Sequence, residues 1–154
     1  MVTHKLALFG LFAVSLATTG VFAAPKKLEE IYDHNYTHIN FKFDDKALVE
    51  LSNGKFKQHL TNELRELTDF NNLPFIKRIK RMHNSFSYQA LEDKRQKQIT
   101  KGAKYAPRLA NWYSIKITPN MSKVDILDIY NSLEQLTTIS HVELATPVIA
   151  SDWV

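Results

Sequence analysis

The side chains in this 154-residue sequence that could do chemistry are mainly histidines and carboxylates. Beyond the first two dozen residues the histidines are His34, His38, His59, His83 and His141, and adjacent acids include Glu29-Glu30 and Asp44-Asp45. No His-Glu-x-x-His is present, the spacing that sets two zinc ligands on one face of a helix. His34 and His38 are four apart and would converge on a helix, but Ile39-Asn40-Phe41 follows at once with the alternation of a strand. No Gly-x-Ser-x-Gly occurs, so no serine is offered on the strained turn that exposes a hydrolase nucleophile. Acid–base work needs two carboxylates in different environments, whereas neighbouring acids in a turn or leader share one, solvated environment. Zero cysteine excludes a disulfide scaffold, thiolate-bound zinc, a Cys-ligated iron–sulfur cluster and a Cys nucleophile. After residue 23 only Gly54 and Gly102 remain, too few to cradle a phosphate on backbone N–H groups. The expectation is a chain that is not an enzyme, with no catalytic residue, no metal site and no cofactor.

The beginning of the chain reads as an address. Met1 to Ala23 carries Lys5, the apolar run Leu6 to Ala17, then Val21 and Ala23 at −3 and −1 of a cleavage point. This is the pattern of a Sec-type signal peptide, and the run is shorter than the roughly 20 residues that span a bilayer. A bacterial protein in the periplasm or medium is expected, with no transmembrane segment after cleavage. Residues 24–37 read as a flexible polar lead-in, 38–147 as one α+β domain, and 148–154 as a tail. Hydrophobic content of 44% beside 23% charged residues is ordinary globular composition.

The formal charge of +4 is unevenly spread. Between Pro74 and Arg108 the acids are Glu92 and Asp93, against Lys77, Arg78, Lys80, Arg81, Lys94, Arg95, Lys97, Lys101, Lys104 and Arg108. The first eight of these cations form a candidate basic surface for an anionic host or envelope partner. Its competing reading is a solvated helix face beside an edge strand guarded by charge. No array of stacking aromatics accompanies the cations, so nucleic acid is not an expected partner.

The elements that would position these residues alternate between strand and helix. Ile39, Phe41 and Phe43 alternate with polar residues, Asp44-Asp45-Lys46 turns the chain, and Ala47, Val49 and Leu51 resume the alternation, an amino-terminal hairpin. Asn53-Gly54 signals a tight turn. Leu60, Leu64 and Leu67 predict a helix over 58–69, Phe75 to Met82 a strand, and Ser85 to Gly102 a basic helix. Tyr113, Ile115 and Ile117 predict a strand. Ser122 with Asp125 opens a helix whose Ile126, Ile129, Tyr130, Leu133 and Leu136 share one face, and Val142 with Leu144 closes the domain as a strand. The order suggests an antiparallel sheet with helices on one face, a βαββαβ sandwich of the ferredoxin-like type carrying an extra hairpin and an inserted basic helix.

The run Trp112-Tyr113-Ser114-Ile115-Lys116-Ile117-Thr118-Pro119-Asn120-Met121-Ser122, followed by Leu133-Glu134-Gln135-Leu136 and Val142-Glu143-Leu144-Ala145-Thr146-Pro147, resembles the prodomain of subtilisin-family serine peptidases. Phe41-Lys42-Phe43 and Val49-Glu50-Leu51-Ser52-Asn53-Gly54-Lys55 resemble the first strands of longer prodomains of that family. The resemblance implies a ferredoxin-like fold that packs its sheet on a peptidase. It also implies a segment after the last strand, here Thr146-Pro147-Val148-Ile149-Ala150-Ser151, that enters the active-site cleft like a product. The peptidase's catalytic Asp, His and Ser have no counterpart in these 154 residues, and Asp152-Trp153-Val154 is not a family feature. The expectation is a secreted, non-catalytic protein-binding domain that inhibits or chaperones a protease. The alternatives are an exported factor acting through the basic region, and an unrecognised hydrolase.

Overall fold

The computed structural model of the chain describes residues 35–60 and 63–147. The expected signal peptide, most of the expected lead-in and Val148 to Val154 lie outside them. The order is β1 (His38–Phe43), β2 (Val49–Ser52), β3 (Lys55–Leu60), β4 (Glu63–Glu66), α1 (Thr68–Asn71), β5 (Ile79–Arg81), α2 (Tyr88–Thr100), β6 (Trp112–Lys116), α3 (Lys123–Glu134) and β7 (Ile139–Ala145). The strands form two sheets, β5-β6-β1-β7 and β2-β3-β4. Every neighbouring pair is antiparallel. The fold is α+β.

The last third forms as its residue pattern requires. The Ser122 Oγ accepts from the Asp125 N–H at 3.1 Å while the Ser122 N–H donates to Asp125 Oδ2 at 2.8 Å. This reciprocal cap satisfies two donors at the start of α3. Ile126, Ile129, Tyr130 and Leu133 then face the core. Burying each contributes roughly 1.5–3 kcal/mol, which fastens α3 against β1 and β7.

The first half departs from the expected pattern in four respects. The helix over 58–69 is absent: its residues continue β3, form β4, and leave only the four-residue α1. The cause is the turn at Asn53 (φ 52°) and Gly54 (φ 73°), two residues in the left-handed region. That backbone matches strand twist and starts a ladder from Ser52↔Lys55 to Val49↔Gln58. The apolar anchor of this ladder is Phe56, which is fully buried and stands outside the leucine spacing. Second, the strands either side of Asp44-Asp45-Lys46 do not pair with each other. β1 joins the four-stranded sheet and β2 the three-stranded one, because the Asn111 amide donates to the carbonyls of both Asp44 (2.8 Å) and Ala47 (2.7 Å) and holds the turn open. Third, a one-turn 3-10 helix over Ile76–Arg78 takes the first half of the strand expected over 75–82. Fourth, the second sheet, and not a first long helix, shares with α3 the work of covering the core.

The core is an aromatic cluster, Phe41, Phe43, Phe56, Phe70 and Tyr113, with neighbouring ring centroids 4.7 to 5.9 Å apart. Such pairs add about 0.5–1.5 kcal/mol each beyond their burial. Asn71 at the end of α1 seats Phe56 by accepting its N–H (2.7 Å) and donating to its carbonyl (2.9 Å). The basic helix α2 lies against the 3-10 turn Leu109–Asn111, with Leu91 as its buried side chain.

Candidate functional site

Alternation along the four-stranded sheet sends Ile39, Phe41, Tyr113, Ile115 and Ile79 into the core. The side chains between them therefore occupy the other face: His38, Asn40 and Lys42 on β1, Trp112, Ser114 and Lys116 on β6, Lys80 on β5, and His141, Glu143 and Ala145 on β7. The register places these residues side by side, with Lys80 opposite Ser114, Ser114 opposite Asn40, and Asn40 opposite Glu143.

This face holds a concave groove of about 490 Å³. Its cationic lining is Arg78, Lys80, Arg81 and Lys116, its other polar lining Thr37, His38, Asn40, Asn84 and Ser114, and its remaining lining Met82, Ala145, Thr146 and Pro147. No Asp or Glu is among the described residues that line it. Arg78 donates from Nη2 to Thr118 Oγ1 at 3.0 Å, which ties it to the turn after β6. Asn40 donates to Glu143 Oε1 at 3.0 Å, and His141 Nε2 lies 3.3 Å from Glu143 Oε2. The bond from Asn40 outweighs the burial that opposes ionisation and, with His141, holds the Glu143 carboxyl below its usual range. Thr37 already belongs to the sheet, since its N–H donates to the Ala145 carbonyl at 2.8 Å and its carbonyl accepts from Ile117.

Of the residues singled out from sequence, Arg78, Lys80 and Arg81 thus meet Thr146 and Pro147 at one groove. Val148, Ile149, Ala150 and Ser151 lie outside the described residues. Lys77 is exposed and does not line the groove. The cations of α2 belong to a different surface. Lys94 Nζ sits 3.7 Å from the Phe86 ring centroid, Arg95 donates from Nε to the Ala106 carbonyl at 2.9 Å, and Lys97 and Lys101 are exposed. His38, Asn40, Ser114 and Lys116 were missed as site residues. Their signal was present in the polar half of the alternation on β1 and β6, but sequence does not show that these two strands are neighbours.

Among the described residues, no cluster of three or more His, Asp or Glu is arranged to hold a metal ion, and no helix is long and apolar enough to cross a membrane. His59 Nε2 lies 3.1 Å from Glu50 Oε2, and its ring stacks on Tyr88 at 5.5 Å between centroids. That contact joins α2 to the second sheet. What the groove offers chemically is donors and positive charge on a rigid sheet, an arrangement for binding. No protein-family model, no curated protein and no solved structure matches the chain.

Proposed function

We propose that this chain is an exported, non-catalytic protein-binding domain that docks through the outer face of its four-stranded sheet and the segment following β7. The partner is a subtilisin-family serine peptidase, which the domain inhibits or helps to fold. One observation carries the reading: β7 runs directly into exposed Thr146 and Pro147, which line a groove on the sheet face opposite the core. An extended segment leaving a sheet edge can lie in a partner's cleft as an added strand, with alternate side chains in its pockets.

The order β5-β6-β1-β7, with antiparallel neighbours throughout, supports a ferredoxin-like arrangement of the four-stranded sheet. The connections are elaborated. The second sheet and α1 stand between β1 and β5, and α2 stands in place of a tight turn between β5 and β6. The separation of the cations favours protein docking over attachment to an anionic surface. A continuous charged patch would serve such a surface, yet Lys94 and Arg95 are committed to Phe86 and Ala106.

The test mixes the purified full chain with a panel of subtilisin-family peptidases and measures inhibition and complex formation. Inhibition by the wild type, lost when residues 146–151 are replaced by Gly and Ser with the melting temperature unchanged, is the expected result. No inhibition and no complex with any member would remove the peptidase partner.

A further inference from the structure

The groove collects positive charge that the described fold does not use. Lys80, Arg81 and Lys116 join no ion pair among the described residues. Lys80 faces Ser114 in the ladder and Lys116 follows two residues later, a diagonal that sets side chains about 7–8 Å apart. Like charges this close repel each other unless an anion lies between them. Arg81 pairs with Tyr113 in the ladder, so its side chain lies on the core side of β5 and the outer face keeps the ammonium groups of Lys80 and Lys116.

We propose that the groove is a recognition site for the carboxylates of an acidic, extended polypeptide segment. This deepens the protein-docking reading above and rests on it, by naming the chemistry of the partner surface. Three features select a polypeptide. The site is concave, so a flat bilayer cannot bring its headgroups to the groove floor, and Met82 is the one large exposed apolar side chain on its lining that could anchor in lipid. Among the described residues β5 pairs only with β6, so its other edge presents backbone N–H and C=O groups that a strand can pair with and a glycan or lipid cannot match. A strand added there runs alongside β5, so an outward-facing side chain of it lies beside Lys80, while Lys116 stands one strand further in. A carboxylate at that position meets the Lys80 ammonium, and a guanidinium such as that of Arg78 matches carboxylate geometry.

The experiment titrates the 15N-labelled full chain at physiological salt with a ten-residue peptide alternating Glu with Val or Thr. The same peptide with Gln for Glu, phosphatidylserine vesicles and a sulfated oligosaccharide are run in parallel. The site predicts amide shifts confined to β5, β6, His38 and Thr146 with the Glu peptide. The Gln peptide should bind at least tenfold more weakly, and the Lys80→Glu/Lys116→Glu variant should lose at least tenfold in affinity for the Glu peptide. Both substituted side chains are exposed, so an unchanged melting temperature is expected and is measured. Absence of shifts, shifts centred on Lys94 to Lys101, or equal occupation of the groove by vesicles or glycan would each overturn the proposal. Peptide binding without inhibition of any peptidase leaves the groove standing and removes the peptidase. Inhibition by a wild type that never binds the peptide removes the acidic-segment site and leaves the docking reading, and inhibition undiminished in a double variant that no longer binds peptide overturns the groove as the surface used in docking.

Discussion

Replacing Arg108 by methionine tests how the basic helix is attached. The Arg108 Nε–H donates to Glu92 Oε1 at 2.9 Å, with side-chain exposures of 9% and 18%. Its Nη1 donates to the Asp45 carbonyl and its backbone N–H to Asp45 Oδ1 at 3.2 Å. One guanidinium therefore joins α2 to the turn between β1 and β2. Methionine preserves the length and apolar stem, so the packing loss is small. What remains is a Glu92 carboxylate largely removed from water with no cation, and a carbonyl without its donor. Breaking one side of a buried ion pair costs roughly 3–5 kcal/mol. Because Glu92 keeps some access to water, the expected loss lies at the lower end, about 3 kcal/mol. With a urea slope of about 2 kcal/mol/M for a domain this small, the midpoint falls by about 1.5 M. In the double variant Arg108→Met/Glu92→Leu both charges are gone, and replacing a whole buried pair by apolar groups is often close to neutral. That variant should lie within about 1 kcal/mol of the wild type. Urea denaturation of the full chain followed by circular dichroism reads all three. A single variant that loses less than about 1 kcal/mol, or a double variant no more stable than the single one, would refute the argument that the pair is buried and coupled.

The remaining predictions concern the turn and the acid limb. Gly54→Val places a β-branched residue at φ 73°, which costs about 1–2 kcal/mol, and a thermal melt should fall by roughly 3–8 °C. At Asp45, burial opposes ionisation, but hydrogen bonds from Lys42, Tyr105 and the Arg108 backbone outweigh it and hold the carboxyl below its ordinary value of 3.8. Glu143 is likewise held below 4.5, chiefly by Asn40. A carboxylate with a depressed folded-state pKa contributes stability that is complete above its unfolded pKa and is lost as pH falls through the folded value. Denaturant midpoints should therefore be flat above about pH 5 and drop below about pH 4, and Asp45→Asn should flatten that drop.

Local chemistry in the sequence was enough for the carboxy-terminal half. Ser122 and Asp125 cap α3 through bonds that span three residues, and the apolar faces of β6, α3 and β7 follow from spacing alone. Asn53-Gly54 likewise named its own turn. The leucines at 60, 64 and 67 misled because helical spacing is a weak preference, and a hairpin already closed at Gly54 extends its ladder with the next residues more cheaply than a new helix nucleates. The separation of β1 from β2 depends on Asn111, more than sixty residues away, and no window of sequence contains that bond. The groove has the same origin. Arg78, Lys80 and Arg81 were visible as a cationic run, and Thr146 with Pro147 as the start of a tail. Their meeting with His38 and Lys116 required β1 and β6 to be neighbours in the sheet. Residue identity determines which groups can bind an anion, whereas strand order determines which of them share a face, because pairing brings together positions that the chain keeps far apart.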